Sequence, residues 1–454
     1  MMTNLNVVRA EKRRYMAGTK CAVVIGASIA GLLTARALSE KFEQVIVLEH
    51  DSLPTTPVSR KKVPQSRQLH VLLAKGAQVL DELFPGFTDD LVAAGAVRSD
   101  PQVDTTYCLD GHPLASAPSG ITTLGISRPY VEYEIRRRAS ELPNVEIRDN
   151  VEVTGIVLGD DHSTITGVNL LNGSVSADLV VDAGGRYSQA LKWLNELGVP
   201  MPSCSQVDPG VVYVTRHYQR ERHHLDGRNG MLVVPYPECP RGAGIVPVEG
   251  NRWAVVLFGL FDVDPGTTDS SMSKFAESLP TPAVAKLIRD AEPVDDAVRM
   301  RYPSSRWWHL ERQRRHLHGL LVVGDALCSF NPTYGQGISV AAMEAMTLRD
   351  LITGDAERLP AKFYQAAAKI INIAWSLSAG GDMRFSQIKG KRTTSGKVIN
   401  SYLNRYRLAA GTDPILGKAF LETANMLAPA AKLLTPAKIA RTLRGSRRAT
   451  RIAE

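Results

Sequence analysis

The turn Gly26-Ala27-Ser28-Ile29-Ala30-Gly31 constrains the fold more than any other stretch of the chain. A short apolar run, Lys20 to Ile25, precedes it, and a helical pattern over Leu32 to Leu38 follows. A second apolar run, Gln44 to Leu48, ends in Glu49. Strand, glycine turn, helix, strand and acid in this order make the fingerprint of a dinucleotide-binding unit. Gly26 permits the turn, the small Ser28 stands where backbone must approach a pyrophosphate, and Gly31 allows close helix–strand packing. Glu49 falls near the spacing of about 20 residues expected for the acid that takes ribose hydroxyls, which favours an unphosphorylated adenosine ribose.

A second strand–turn–helix lies near residue 330. The apolar run Gly319 to Val323 predicts a buried strand closed by Gly324-Asp325. After Pro332, a Gly335-Gln336-Gly337 turn opens a helix at about Ile338. Asp325 then sits at the carboxyl edge of a sheet, where open α/β folds bind ligands, and the helix aims free N–H groups and its positive dipole end in front of it. Such a site suits a long polar cofactor with one anionic end. A plain strand–loop–helix with a capping Asp is the bland alternative.

With 454 residues, 44% hydrophobic and 22% charged, the chain has room for two or three globular domains. Net charge is +8, but much of the surplus sits in Glu11 to Arg14 with Lys20 and in the tail Lys438 to Arg451, without interleaved aromatic residues. Solvated termini fit this better than a nucleic-acid surface, so no nucleic-acid partner is expected. Leu433, Leu434, Ile439 and Leu443 give the tail some apolar face, enough for weak peripheral contact with anionic lipid. Five scattered cysteines without a C-x-x-C pair read as reduced thiols. No signal-type apolar run and no stretch of 18 apolar residues is visible, so a cytoplasmic protein without a membrane span is expected.

Between the two turns, Ser59 to Gln65 form a basic loop that reads equally as a ligand-facing loop or a surface charge run. Arg128 precedes a helix and can reach a phosphate bidentately. Val145 to Val181 alternate as a meander with turns at Gly159-Asp160-Asp161 and Asn172-Gly173, ending in Asp182-Ala183-Gly184-Gly185-Arg186. Composition shifts at Pro200 to Pro209. Beyond it, Val211 to Tyr218, Gly244 to Val248 and Arg252 to Phe261 have strand character, with helices Met272 to Leu279 and Pro282 to Ala291 as a cover. After Asp355 helices are predicted over Ala361 to Ser378, Val398 to Leu408 and Pro414 to Leu427, interrupted at Gly380-Gly381-Asp382 and Pro429 to Pro436.

Together, Gly26-x-Ser28-x-x-Gly31 with Glu49, Arg128, Asp182-Ala-Gly-Gly185-Arg186-x-Ser188, and Gly324-Asp325 through Pro332 to Gly335-Gln-Gly337 resemble flavin-dependent monooxygenases of the para-hydroxybenzoate hydroxylase fold. Val63-Pro64-Gln65 with His70, Leu83-Phe84-Pro85-Gly86, Tyr302-Pro303 to Arg306, and Asp325-Ala-x-Cys328-x-Phe330-Asn331-Pro332 resemble most the bacterial branch of polyether-type and squalene epoxidase-like enzymes. The resemblance spans roughly residues 20 to 355. It implies an α/β fold: an FAD-binding Rossmann-like domain of glutathione reductase type, interleaved with a mixed β-sheet substrate domain and followed by C-terminal helices. The expected divisions are a flexible basic leader (1–19), the first FAD-binding part with its meander (20–200), the substrate domain (201–300), the second FAD-binding part (301–355) and a helical region with the basic tail (356–454).

The resemblance also implies roles. Gly26, Ser28 and Gly31 would approach the pyrophosphate, and Glu49 the adenosine ribose. Arg60 and Arg128 would lie along the phosphates and ribityl chain, Asp325 on the ribityl or pyrophosphate portion, and the Val63-Pro64-Gln65 loop beside the ring. Pro332, Gly335, Gly337 and Ile338 would face the pyrimidine side of the isoalloxazine, stabilising negative charge on the reduced ring. Two departures stand out: the family's Asp-Gly turn is Gly184-Gly185 here, which puts direct nicotinamide contact in doubt, and Lys62 replaces a common glycine.

The implied reaction inserts one oxygen atom from O₂ into an apolar organic substrate through a flavin C4a-hydroperoxide, by epoxidation or hydroxylation. NAD(P)H would supply electrons directly or through a separate flavin reductase. The flavin carries the chemistry; His70, Tyr334 and Arg186 are weak catalytic candidates, each equally readable as structural. Tyr213, Phe258 and Trp307 are candidate pocket lining or ordinary core. No metal is expected. Rival readings are a flavin-dependent halogenase, a double-bond reductase or dehydrogenase, and a non-enzymatic flavin-fold escort protein.

Overall fold

A computed structural model describes residues 20–60, 63–352, 357–389 and 394–453. The expected leader, Lys62 and the boundary near 355 lie outside the described residues. At the centre is a five-stranded parallel sheet in the order Leu320–Val322, Leu179–Asp182, Cys21–Ile25, Gln44–Leu48, Val145–Arg148. Four of these strands are apolar and almost wholly buried, as helix-covered parallel strands must be, whereas the edge strand Val145–Arg148 carries Glu146 and Arg148 and stays partly exposed. Ile25 pairs with Leu48 and Asp182, and Asp182 pairs with Val322. One edge therefore presents Gly26, Glu49, Ala183 and Gly324-Asp325 side by side. The helices Ile29–Leu38 and Gly337–Leu351 leave that edge and pack on each other.

The meander is shorter than Val145 to Val181: Val153–Leu158, Ile165–Leu170 and Gly173–Ser176 form it at the expected turns, whereas Val145–Arg148 and Leu179–Asp182 join the parallel sheet. A seven-stranded sheet is built around Val211–Gln219, Arg241–Val248 and Arg252–Gly259. It also takes Thr105–Leu109, His112–Pro113 and Val298–Tyr302, which come from far outside the central three in sequence. Alternation along Arg252–Gly259 divides its faces. Val255 and Leu257 pack under the helices Asp269–Glu277 and Ala283–Asp290 with Met272, Val284 and Leu287, whereas Val256 and Phe258 face the opposite side with Tyr213.

The C-terminal region differs from expectation at one place. Helix Leu359–Asp382 runs without a break through Gly380 and Gly381. A Cβ on Gly381 would lie 2.3 Å from the Tyr334 hydroxyl, so the glycine is required by a close tertiary contact rather than by a helix end. Helices Thr394–Ala410, Pro414–Ala424 and Pro436–Ala453 follow. In the tail, Leu433 is buried among Tyr406, Leu416 and Ala419, while Leu434 and Leu443 are exposed. Among the described residues no helix is long and apolar enough to cross a membrane.

Candidate active site

A cavity of about 780 Å³ starts at Glu49 and His50, passes Gly26, Gly184 and Asp325, and ends against Tyr213, Val256 and Phe258 of the large sheet. Its polar half is the carboxyl edge of the parallel sheet; its far half is walled by apolar side chains. The turn at Gly26 requires glycine, with φ of +99° and a position where a Cβ would lie 2.8 Å from the Ala183 carbonyl oxygen. At Gly31 a Cβ would fall 1.8 Å from the Gly26 carbonyl oxygen, so the helix can approach the turn this closely only with glycine there.

Glu49 is buried and all four of its lone-pair directions are used. Oε2 accepts from Ala27 N and Arg60 Nη2, each at 2.8 Å, and Oε1 accepts from Asp51 N at 3.0 Å and faces His50 Nδ1 at 2.9 Å. Burial alone raises this carboxyl, but Arg60 and the two N–H donors outweigh it and hold the pKa below the ordinary value. Arg60 continues to Glu132 Oε1 at 3.0 Å, and Glu132 Oε2 accepts from Ser28 Oγ at 3.0 Å. Arg128 Nη2 donates to the same Ser28 oxygen at 3.1 Å, while its Nε is buried with no partner. A guanidinium with an unused donor beside a glycine turn is a ready contact for an anion.

In the middle of the cavity Gln65 Nε2 donates to Asp325 Oδ2 at 3.2 Å, and Val63 lies alongside. Gly324 N donates to Glu344 Oε2 at 2.7 Å, from about two turns into the helix that starts at Gly337. Burial pushes the Glu344 carboxyl up to about 8. Asp182 holds the neighbouring turn by accepting from Gly184 N at 3.0 Å and from the Ser188 hydroxyl, and burial raises its carboxyl to about 6. The helix Gly337–Leu351 has no side-chain cap at Gln336, so its first N–H groups are left for a ligand. Pro332, Gly335, Gly337 and Ile338 all line the cavity in front of it.

At the apolar end, the Tyr213 hydroxyl donates to Asn331 Oδ1 at 2.7 Å, and Asn331 Nδ2 donates to both Asp382 oxygens at 3.2 Å. The Tyr334 hydroxyl donates to Asp382 Oδ1 at 3.2 Å. Buried without an ion pair among these contacts, the Asp382 carboxyl rises to about 7. His70 lines the cavity, and its Nδ1 lies 2.8 Å from the Gln68 carbonyl oxygen. That oxygen only accepts, so Nδ1 carries the proton and Nε2 is the bare nitrogen. Burial and the nearby Arg128 push the imidazole down to about 3, which keeps it neutral near pH 7.

Arg186 also borders the cavity, but its guanidinium is anchored to Ser304 O, Ser304 Oγ and Ser329 Oγ and lies 4.7 Å over the Tyr302 ring. Tyr213 and Phe258 stand in the wall as expected. Trp307 does not: it is buried in the core against Trp375 and His309, because its strand Ser305–Trp308 belongs to a separate three-stranded sheet. The sequence reading missed Glu132, Glu344, Asn331 and Asp382. Only Glu132 carried a signal, its i,i+4 spacing from both Arg128 and Arg136 on one helix.

The glycine turn, the uncapped helix start and the unused Arg128 donor fit a long dianionic cofactor such as FAD. The comparisons agree. Residues 19–358 match the family model described as FAD binding domain. Protein Rv3254 of Mycobacterium tuberculosis is 33% identical over 89% of both chains. Kynurenine 3-monooxygenase of Salinispora tropica is 24% identical over 76% of both, and squalene monooxygenase 1,1 of Brassica napus is 22% identical over 73% of this chain and 62% of its own. The solved structure of the flavin-dependent brominase Bmp2 shares the fold at 17% identity, with a TM-score of 0.60 over 95% of this chain and 98% of that one. A kynurenine monooxygenase and a squalene monooxygenase are matched alike, so the similarity does not single out the epoxidase branch. The chain belongs to the FAD binding domain family, the flavoprotein oxidoreductases of flavin-dependent monooxygenase type.

Proposed function

We propose that this protein is an FAD-dependent monooxygenase that inserts one oxygen atom from O₂ into an apolar organic substrate. The carrying observation is the single cavity that joins the dinucleotide edge to an apolar wall of Tyr213, Val256 and Phe258. FAD, when bound, supplies electron storage and O₂ activation. The chain's part is to bind, orient and exclude water. Gly26, Ser28 and Arg128 would hold the pyrophosphate; Glu49 would take ribose hydroxyls in place of its exposed His50 contact; Asp325 and Gln65 would bind the ribityl chain. The uncapped N–H groups at Gly337 and Ile338 favour negative charge on the adjoining ring. Neutral His70 offers its bare Nε2 as an acceptor inside the cavity.

Epoxidation of an alkene and hydroxylation of an aromatic ring both fit this site, and the two named relatives exemplify each. Incubation with candidate apolar substrates under ¹⁸O₂, read by mass spectrometry, is expected to yield a product heavier by one labelled oxygen. A product without label, or one carrying bromine or chlorine in a halide-containing buffer, overturns the oxygen-insertion reading. A colourless preparation that takes up no added FAD supports the escort-protein alternative instead.

A further inference from the structure

Beside the main cavity lies a second pocket of about 360 Å³, sharing Gly185, Arg186, Ser188 and Gln189 with it. The turn Gly185–Tyr187 and the residues after it thus form a wall common to both spaces. Among the described residues, three cations, Arg186, Lys192 and Arg306, line the second pocket, and no carboxylate does. Arg186 is anchored as described, but Arg306 makes one side-chain contact, Nη2 to Arg186 O at 3.3 Å. Lys192 has only a long surface pairing with Glu196 at 3.9 Å, which contributes little in water. Trp308 and the half-exposed Met201 supply flat apolar surface on another side. Cations without counter-charge recognise phosphate, and an indole offers a face to a nucleobase.

We propose that this second pocket docks the phosphate-bearing adenosine part of a reduced nicotinamide dinucleotide, whose nicotinamide end crosses the Gly185–Gln189 wall toward the FAD cleft. The volume is at the low end of small-ligand sites, about 300–1,000 Å³, and suits one nucleotide half rather than the whole molecule. The assignment rests on the monooxygenase reading, since it locates a direct electron donor for that reaction. It also relieves the turn of the need for an acid at Gly184, because recognition falls to side chains on the helix Ala190–Glu196 and the strand Ser305–Trp308.

The test uses FAD-loaded protein under anaerobic conditions, with NADPH and NADH as reductants and stopped-flow absorbance as the readout. Lys192→Glu and Arg306→Gln are expected to raise the half-saturating nucleotide concentration about tenfold or more. Bleaching by dithionite, FAD content and the thermal midpoint should stay at wild-type values. Calorimetric titration of the oxidised protein with NADP⁺ should show the same loss of affinity, and the wild-type affinity should fall with salt. Wild-type half-saturation in both variants overturns the site. So does a wild-type protein that neither nucleotide bleaches but that, once reduced by dithionite, incorporates ¹⁸O into product; the reaction then stands and the donor is a partner reductase. If dithionite-reduced protein incorporates no label into any substrate, the monooxygenase reading itself fails.

Discussion

Glu49 lines one end of the cavity and Asp382 lies behind its other end, under the lining residues Asn331 and Tyr334; both carboxylates are buried, and they titrate in opposite directions. Glu49 has a guanidinium and two backbone N–H groups within 3.0 Å and is held ionised. Asp382 has an amide and a phenol, both neutral donors, and burial prevails. The same burial therefore makes a fixed charge at the Glu49 end and a titrating group behind the apolar end. Partner chemistry, not depth, decides which.

The largest effect should come from removing the cation that creates the difference. Arg60→Ala leaves Glu49 and Glu132 buried without their shared partner and should cost about 3–5 kcal/mol, read by urea unfolding. A loss below about 1 kcal/mol would mean that water replaces the guanidinium and that the two ends differ less than their contacts imply. Next, Gly381→Ala drives a methyl group into the Tyr334 hydroxyl and should destabilise by about 1–3 kcal/mol while releasing Tyr334 from Asp382. Asp325→Ala should weaken FAD retention at least tenfold, about 1.4 kcal/mol, measured by flavin release on dilution; undiminished flavin content would remove Asp325 from the cofactor site.

A pH-dependent effect sharpens the comparison most. Asp382 has a folded-state pKa of about 7, above its ordinary value of 3.8, so the folded protein binds the extra proton between those values. Stability from this group is fully present below about pH 4 and is lost as pH rises through about 7, with a slope of up to about 1.4 kcal/mol per pH unit. Asp182, raised to about 6, and Glu344, raised to about 8, act with the same sign. Asp382→Asn should remove only its own share, flattening the curve of thermal midpoint against pH between 4 and 7. An identical curve would place the proton elsewhere. For Glu49 the sign is reversed, and its contribution is lost as pH falls.

Much of the adenosine end was legible because its signals are local. Gly26, Gly31 and Glu49 act through spacing along one βαβ unit, and the structure sets them at one sheet edge. Arg60 was placed near phosphates, yet its contact with Glu132 joins residues 72 positions apart and has no periodic trace. The apolar end was less legible for the same reason. Asn331 sits in a loop and Asp382 at a helix end, and nothing in either neighbourhood announces the other. Gly380-Gly381 read as a helix break because glycine disfavours helix, and the tertiary demand for an empty position beside Tyr334 overrode that local preference. Trp307 looked like pocket lining for its size alone; which sheet its strand joins could not be read from composition.

One wall of the cavity has a consequence for how the cavity closes. Ala424 and Asn425 line it, Asn425 Oδ1 accepts from Ala74 N, and the Ala424 carbonyl oxygen accepts from Gln336 Nε2. Ala424 lies 398 positions after Gly26 (424 minus 26), so the fold closes this cavity only by bringing together two segments that stand far apart in the sequence.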